Sequence, residues 1–224
     1  MTNGISLALS GSNVTGDAPF SCALRLATGQ VFASAQPDGR GDLAALAADL
    51  CARHRVRPEQ IAELRVDLGP GSYTGLRVAV TFVRFLQRFS DVNVLAVDSL
   101  TLLAASAREV ATTATRLLPL LDARRCRFHL GVLSLTRDGG LAVLQPPQAL
   151  PLPAVLASVR PGDLFVVPCS VETLVGAELR AAGACLHRAS GITAERLFDA
   201  GLPFVPSTWQ DLEPRYLMGS YVED

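Results

Sequence analysis

One glycine-rich segment, residues 67–77, contains the residues of this chain whose types and spacing could do chemistry. It lies between a short apolar strand and a long amphipathic pattern, and we call the following residues the glycine loop: Gly69, Pro70, Gly71, Ser72, Tyr73, Thr74, Gly75 and Arg77. A glycine-rich turn that enters a helix leaves several backbone N–H groups unpaired and pointing in one direction. The loop can therefore cradle a phosphate, or it can let two backbone segments approach closely.

The common phosphate and nucleophile motifs do not fit the glycine loop. A Walker loop needs a lysine after its last glycine, whereas neither of the two residues after Gly75 is a lysine. The dinucleotide fingerprint needs a glycine where Thr74 stands, and a nucleophile elbow needs glycines where Pro70 and Thr74 flank Ser72. Capping of the following helix by Ser72 or Thr74 is the structural alternative.

The glycine loop closely resembles the Gly-Pro-Gly-Ser-Phe/Tyr-Thr-Gly-Leu-Arg signature of the TsaB (YeaZ) family. Three further segments resemble that family: Asp98-Ser99-Leu100, Asp122-Ala123-Arg124-Arg125 and Glu213-Pro214-Arg215-Tyr216-Leu217. The resemblance implies an α/β protein with the actin-like ATPase (RNase H-like) fold, in two lobes of mixed β-sheets flanked by helices, with the second lobe reduced. The turn after the first strand departs from the family, because Ser10-Gly11-Ser12-Asn13 replaces its Asp-Thr-Ser.

The resemblance also implies a function. Members of the TsaB family are non-catalytic subunits of the bacterial machinery that places threonylcarbamoyl on adenosine 37 of tRNA. The implied partners are a TsaD-like transferase paralogue and a TsaE-like ATPase, with a weak homodimer when the chain is alone and contact with tRNA only through the complex. No cofactor is expected on this chain alone, and ATP or ADP is expected only in the assembled complex.

Composition and charge exclude several classes of protein. Hydrophobic residues make up 49% of the chain, and the net charge of −1 provides no overall basic field for gripping nucleic acid. All 20 basic residues are arginine, which excludes a catalytic, Schiff-base or P-loop lysine. The five cysteines and three histidines lack metal-ligand spacing, so we expect buried, reduced thiols and no metal. We also expect a cytoplasmic location and no membrane span, because the uncharged stretch at residues 141–159 contains four prolines and two glutamines.

The order of predicted elements divides the chain into two lobes. The first lobe has strands at 5–9, 20–26 and 31–35, a helix capped by Asp42, a strand at 64–68, a helix at 74–89, a strand at 92–97 and a helix capped by Ser99. The second has strands at 117–121, 128–135 and 164–167, a proline-rich surface loop at 146–153 and a helix at 171–182. We therefore predict a first RNase H-like lobe with the glycine loop and the interface helices at 1–112, a reduced second lobe at 113–200 and a C-terminal tail that packs back on the body at 201–224.

The helix after the glycine loop has two apolar stripes at 100° per residue. One stripe contains Leu76, Ala79, Val80, Val83 and Leu86, and the other contains Val78, Phe82, Phe85 and Phe89. Because one stripe is enough to pack the helix on its own sheet, the second needs a cover from within the chain or from a partner protein. In the TsaB family the first-lobe helices pair with the partner, which implies an interface, beside a rim of arginines, made of Leu43, Leu46, Leu50, Val78, Phe82, Phe85 and Phe89.

The residues that could do chemistry argue against catalysis by this chain. An actin-like ATPase needs a carboxylate after its first strand to hold magnesium-bound phosphate through water, and residues 10–13 include none. Ser72 and Thr74 have no histidine nearby in sequence, so helix capping explains them better. Asp122, Arg124 and Arg125 form a second polar cluster, which is either a β-turn with a capping aspartate or a cleft-facing site for tRNA or another subunit.

These observations leave functions of different classes. The first is a non-catalytic scaffold that activates a TsaD-like threonylcarbamoyltransferase. The second is an actin-like nucleotide-binding enzyme, such as a small-molecule kinase or ATPase, and the third is a diverged relative with a different partner. The missing carboxylate and the absence of lysine favour the first.

Overall fold

The computed structural model describes residues 4–13, 19–36, 42–113 and 115–217. The chain folds into two compact units, and each unit is made of segments that are distant from one another in sequence. The first unit takes the residues up to Asp98 together with Ile192–Asp199 and Phe204–Pro214, and the second takes Ser99–Gly191, Ala200–Pro203 and the residues from Arg215 onward. The elements of the first unit are β1 (Ile5–Ser10), β2 (Phe20–Arg25), β3 (Val31–Gln36), α1 (Leu43–Arg53), β4 (Ile61–Asp67), α2 (Tyr73–Arg88) and β5 (Asn93–Val97). Those of the second unit are α3 (Ser99–Ala105), β6 (Arg116–Arg124), β7 (Arg127–Leu135), β8 (Leu141–Pro151), α4 (Leu152–Ala157), β9 (Leu164–Pro168), α5 (Cys169–Ala181) and β10 (Cys185–Ala189), and the last strand, β11 (Val205–Ser207), belongs to the first unit.

The described residues of the first unit form a six-stranded mixed sheet in the order β11-β5-β4-β1-β2-β3. Strand β1 pairs antiparallel with β2 and parallel with β4, and β4 pairs parallel with β5. Strand β11 comes from the predicted C-terminal tail and adds to β5 antiparallel. Residues 218–224 of that tail lie outside the described residues.

Side-chain alternation along the strands decides what each face of this sheet contacts. Leu64 and Val66 of β4 are buried in the same apolar core as Val80 and Val83 of α2. Leu43 and Leu50 of α1 belong to this core too, so α1 and α2 pack on the same face of the sheet. Glu63 and Arg65, which alternate with Leu64 and Val66 along β4, point to the opposite face. There, Arg65 Nη1 donates to the Leu197 carbonyl at 2.8 Å, which ties the 3-10 turn at Ala194–Phe198 to the sheet.

The second unit repeats the same strand order. Its described residues form a five-stranded sheet, β10-β9-β6-β7-β8, in which the central β6 is antiparallel to β7 and parallel to β9. Strand for strand this is the order β5-β4-β1-β2-β3 of the first unit, without an equivalent of β11 among the described residues. Its core packs α4 and α5 against one face, with Phe165, Val171 and Val175 buried in it.

Several boundaries differ from the sequence predictions. The proline-rich stretch at 146–153 is not a surface loop, because it completes β8 and begins α4. Pro146 and Pro147 are tolerated there because β8 is an edge strand, where a missing N–H need not break a ladder. Strand β10 was not predicted at all. The division between units falls after Asp98 rather than after residue 112, because α3 packs with the second unit.

The cysteines are free, as expected, but they are not all buried. Cys22 and Cys51 lie in the core of the first unit, whereas Cys126, Cys169 and Cys185 are exposed. Burial raises the pKa of the Cys22 thiol to about 12, with Cys51 as the next cause. The two core cysteines therefore act as small apolar side chains.

Candidate partner interface

The glycine loop forms the start of α2, and Ser72 caps that helix. The Ser72 hydroxyl accepts a hydrogen bond from the Gly75 N–H at 3.2 Å, and the Leu76 N–H donates to the Ser72 carbonyl at 2.9 Å. The Ser72 N–H in turn donates to the carbonyl of Ser12, in the turn after β1, at 3.0 Å. The capping role predicted for Ser72 is confirmed, and the loop is bonded to its own chain.

The glycines of the loop lie against backbone. A Cβ atom on Gly75 would stand 2.0 Å from the carbonyl oxygen of Gly11, and a Cβ atom on Gly71 would stand 2.2 Å from that of Ser12. The contact is reciprocal, because a Cβ atom on Gly11 would stand 2.2 Å from the Gly75 carbonyl oxygen. Of the two uses open to a glycine-rich turn, close approach of two backbone segments is the one this geometry fits.

The turn after β1 is therefore the partner of the glycine loop, which the sequence did not reveal. Ser10 and Ser12 are buried there, and their hydroxyl oxygens have no hydrogen-bond partner among the described residues. Gly11 was the available signal, since a glycine after a buried strand often permits a close backbone contact. Residues 10–13 of this turn do not fit the phosphate site of an actin-like ATPase, because they include no carboxylate and the glycine loop already lies against them.

The two apolar stripes of α2 face in different directions. Leu76, Ala79, Val80 and Val83 are buried against the sheet of the first unit. On the other stripe Val78, Phe85 and Phe89 are exposed, with 60% of Phe85 and 72% of Phe89 accessible. Phe82 is half-buried at the edge of the core. Within the part of the chain that the structure describes, neither α1 nor the tail up to Leu217 covers Val78, Phe85 and Phe89, so the intramolecular alternative holds there only for Phe82.

An aromatic and arginine surface runs along this outer stripe. The rings of Phe85 and Phe89 are 4.9 Å apart between centroids, which is a tilted contact of the kind aromatic pairs prefer. A surface groove beside them is lined by Arg77, Val78, Thr81, Phe82 and Phe85. We call the outer stripe and this groove together the α2 face.

Arginines border the α2 face at both ends. Near the glycine loop, Arg77 stacks on Tyr73 at 5.5 Å from the ring centroid and donates to its hydroxyl at 3.1 Å. At the far end, Arg88 lies 5.8 Å from the ring of Phe89 and 5.1 Å from that of Trp209. Arginines therefore lie beside the exposed phenylalanines, where stacking orients their guanidinium groups, and their role as the rim of an interface stays a prediction.

The α1 part of the predicted interface needs correction. Asp42 caps α1 as predicted, since its Oδ1 accepts from the Ala44 N–H at 2.9 Å. However, Leu43 and Leu50 have 0% and 1% of their surface exposed and belong to the core of the first unit. Leu46 is half-buried against the same core. The helical periodicity of α1 was correctly identified, but its stripe packs on the unit's own sheet, so Leu43 and Leu50 offer nothing to a partner.

The polar cluster of Asp122, Arg124 and Arg125 lies in the second unit, at the turn between β6 and β7. Asp122 Oδ1 accepts from the Arg124 N–H at 2.7 Å, as a capping aspartate does in a turn. Arg124 and Arg125 are exposed. The β-turn alternative is therefore confirmed, and a ligand for the arginines stays a prediction.

No group of three or more potential metal-ligating side chains occurs among residues 4–13, 19–36, 42–113 and 115–217. Within the same ranges, no helix has both the length and the apolar character needed to cross a bilayer.

Comparison with known proteins agrees with the family resemblance that the glycine loop indicated. Residues 35–140 match the family model described as TsaD, tRNA N6-adenosine threonylcarbamoyltransferase. Over 106 residues the chain is 33% identical to the tRNA threonylcarbamoyladenosine biosynthesis protein TsaB of Bacillus subtilis (strain 168). The chain is similar to the TsaB (YeaZ) proteins over this segment. The match spans 47% of this chain and less than half, 44%, of the Bacillus TsaB.

Solved structures extend the likeness to the whole fold. YeaZ from Pseudomonas aeruginosa superposes with a TM-score of 0.75 at 21% identity, over 96% of this chain and 100% of that one. A second structure, an uncharacterized protein with similarity to the peptidase YeaZ from the same organism, gives a TM-score of 0.73 at 22% identity over the same shares of the two chains. The predicted actin-like (RNase H-like) α/β fold and the predicted TsaB resemblance are both confirmed.

Proposed function

We propose that this chain is a non-catalytic scaffold subunit for threonylcarbamoylation of adenosine 37 in tRNA, acting through a heterodimer with a TsaD-like transferase. A TsaE-like ATPase is the third component we expect, in the cytoplasm where tRNA is modified. The single observation that carries the proposal is the α2 face, a helix whose second apolar stripe is exposed on a packed unit.

The chemistry of the α2 face suits another helical protein. Two exposed phenylalanines in contact, Phe85 and Phe89, supply the aromatic anchors that dominate interface energies. Burying each fully is worth about 1.5–3 kcal/mol. Stacked arginines at the border, Arg77 and Arg88, match the polar rim of protein interfaces.

The glycine loop has a supporting role in this proposal. Because Gly71 and Gly75 lie against the turn after β1, the loop sets the distance between α2 and the sheet. Ser72 caps the helix and starts it at a defined residue. The loop thus positions the α2 face, and no chemical step is assigned to it.

The names of the relatives agree with this function. The Bacillus relative is named as a threonylcarbamoyladenosine biosynthesis protein, and the family model that matches residues 35–140 is that of a threonylcarbamoyltransferase. The matched residues include α1, the glycine loop and α2. The segment that contains α1 and α2 is thus similar to a transferase family. This similarity favours a paralogous transferase as the partner, with the equivalent helices of the two proteins packed together.

The proposal is tested by reconstitution with the TsaD-like paralogue and the TsaE-like ATPase encoded in the same genome. Purified components are incubated with threonylcarbamoyl-adenylate and an unmodified tRNA transcript, and the modified nucleoside is measured by mass spectrometry. Modification should require all three proteins, and this chain should co-elute with the TsaD-like protein. Full modification without this chain, or failure of the two proteins to associate, would overturn the proposal.

A further inference from the structure

The turn between β6 and β7 has an unusual backbone for its residue types. Arg124 pairs with Arg127 across the two strands, which leaves Arg125 and Cys126 as a two-residue hairpin loop. Arg124, Arg125 and Cys126 have φ values of 67°, 50° and 57°. Two-residue loops with positive φ at both positions are usually built from Asn-Gly or similar pairs, because side chains with a Cβ disfavour the left-handed region. We call Arg124, Arg125, Cys126 and Arg127 the hairpin tip.

Contacts on both strands hold the hairpin tip in place. On β6, Asp122 Oδ1 accepts the Arg124 N–H at 2.7 Å, and its other oxygen is 3.6 Å from Arg124 Nη1. On β7, Arg127 Nη2 donates to the Ala149 carbonyl of the neighbouring β8 at 2.8 Å. The tip is therefore a built turn in which strained backbone persists at consecutive positions, and such outliers cluster at functional sites.

The charge of the hairpin tip indicates the class of ligand. Three guanidinium groups stand within four residues beside one carboxylate, on a chain whose net charge is −1. All four tip residues are exposed, and 71% of the Arg124 side chain is accessible. A protein partner would be expected to find an aromatic or aliphatic anchor, and the tip has none. Guanidinium groups without an apolar anchor suit phosphate oxygens, which they can bind by two parallel hydrogen bonds.

We propose that the hairpin tip contacts the phosphate backbone of tRNA, through Arg124 and Arg125, when the chain is part of its complex. This inference rests on the proposed function, because it names the RNA contact of that assembly. The contact reads phosphate position rather than base identity. Left-handed backbone at the tip is retained because it directs the arginine side chains, at a cost to the stability of the hairpin.

The test uses the heterodimer of this chain with its TsaD-like partner and an unmodified tRNA transcript, with binding followed by fluorescence anisotropy over a series of salt concentrations. Arg124→Glu with Arg125→Glu should weaken binding roughly tenfold or more and make the log–log salt dependence shallower by about 1.4–1.8, for two lost phosphate contacts. Arg137→Glu with Arg160→Glu is the matched control, since it makes the same charge change at exposed arginines of the same unit. The control should bind like the wild type.

A second variant separates function from folding. Arg125→Asn with Cys126→Gly gives the loop its favoured residue types, so its melting temperature should equal or exceed that of the wild type. Its tRNA affinity should nevertheless fall, with a salt dependence shallower by about 0.7–0.9 for one lost contact. A more stable variant with weaker RNA binding is the result that supports the proposal.

Three outcomes would overturn the inference, and they differ in meaning. Equal affinity and equal salt dependence of the tip variants and the control would show that the tip does not contact RNA. Loss of the heterodimer in the charge-reversed tip variant would assign the tip to a protein contact. A wild-type heterodimer that does not bind tRNA would overturn this inference together with the proposed function, whereas the first two outcomes leave the proposed function standing.

Discussion

At the scale of single residues, a glycine can serve a ligand or a neighbouring backbone, and the two uses leave different geometry. A phosphate cradle keeps open space in front of the glycine, whereas Gly75 has the Gly11 carbonyl there. Only a glycine at position 75 permits this close approach of the two backbone segments, because a Cβ atom there would overlap the Gly11 carbonyl oxygen. The glycine loop therefore belongs to packing, and stability measurements should detect its loss before any binding assay does.

Gly75→Ala should destabilise the first unit by about 3 kcal/mol or more, because an added Cβ would stand 2.0 Å from a backbone oxygen and the two segments would have to separate. Urea unfolding measures the change. The substitution lies within α2, where alanine is intrinsically favoured over glycine by about 1 kcal/mol, so a loss cannot come from helix propensity. Gly131→Ala is the control, since its Cβ would make ordinary contacts at 3.4 Å or beyond. Equal stability of the two variants would contradict the packing role.

His129 gives the second residue-scale prediction, which concerns pH. Burial lowers the pKa of His129 from 6.5 to about 4, opposed by the charge of Asp122. Because the folded pKa lies below the unfolded one, the unfolded chain binds the proton first, and stability is lost as pH falls from about 6.5 toward 4. At pH 5 this loss amounts to about 2 kcal/mol.

His129→Gln removes the titration, so the decline in stability between pH 7 and pH 5 should be smaller by about 2 kcal/mol in the variant than in the wild type. Chemical unfolding at the two pH values gives the four free energies required. The comparison cancels the contribution of the carboxylates, which both proteins share. Parallel declines in the two proteins would show that the His129 pKa is not lowered in the folded state.

At the scale of elements, α2 combines a buried stripe and an exposed one on a single helix of sixteen residues. The buried stripe accounts for the attachment of α2 to its sheet. Phe85 and Phe89 of the outer stripe lie outside the buried core of the unit, so we expect that they can be changed without unfolding. Phe82 lies between these roles, since it packs on the core edge and also lines the groove. Phe85 and Phe89 are therefore the better positions for testing an interface.

Phe85→Asp with Phe89→Asp should dissociate the weak homodimer expected of the free chain and prevent binding of the TsaD-like partner. Two unpaired carboxylates in an apolar contact cost several kcal/mol, and a micromolar dimer has only about 8 kcal/mol of binding free energy. Analytical ultracentrifugation reports association, and circular dichroism should show an unchanged fold.

The control for this interface is Val143→Asp with Leu144→Asp. It replaces two exposed apolar residues on β8 of the second unit and should leave association intact. A folded Phe85 and Phe89 variant that still dimerises and still binds the partner would remove the α2 face from the interface. If both variants abolish association, the effect is one of added charge rather than of a specific surface.

At the scale of the whole molecule, the chain builds the same strand order twice, once in each unit. A fold of this kind can host nucleotide chemistry, but function depends on the residues grafted on it. Residues 10–13 after β1 include no carboxylate to hold metal-bound phosphate, and they are in close contact with the glycine loop. The fold is therefore actin-like, and the turn at residues 10–13 is suited to packing.

The purified chain alone should show no magnesium-dependent ATP hydrolysis above background and should hold no stoichiometric metal. The reason is local, since residues 10–13 provide hydroxyl and amide groups but no carboxylate. Phosphate-release assays and elemental analysis check both points. Turnover that persists through repurification, and that is lost on Ser12→Ala, would assign a nucleotide site to this turn.

Patterns local in sequence were read correctly because their causes are local. Asp42 and Ser72 cap the helices that follow them, and side-chain period alone separated the two stripes of α2. The glycine loop was distinctive enough to indicate the TsaB relatives, which the comparisons confirm. The order of strands and helices likewise predicted the RNase H-like first lobe, in which β4 pairs parallel with β1 and β5.

What the sequence left open depends on groups that are distant along the chain. From periodicity alone, the stripe of α1 and the outer stripe of α2 were equally good candidates for an interface. The structure distinguishes them, because Leu43 and Leu50 are buried in the core whereas Phe85 and Phe89 are exposed. Pro146 and Pro147 led to the prediction of a loop, whereas the structure places them in β8, an edge strand that tolerates proline. Tertiary structure decides these cases because burial and strand position are set by neighbours far away in sequence. By itself the sequence determined which segments form helices and strands and which relatives they resemble, and the tertiary structure decided that the glycine loop faces Gly11 and Ser12 and that the outer stripe of α2 faces solvent.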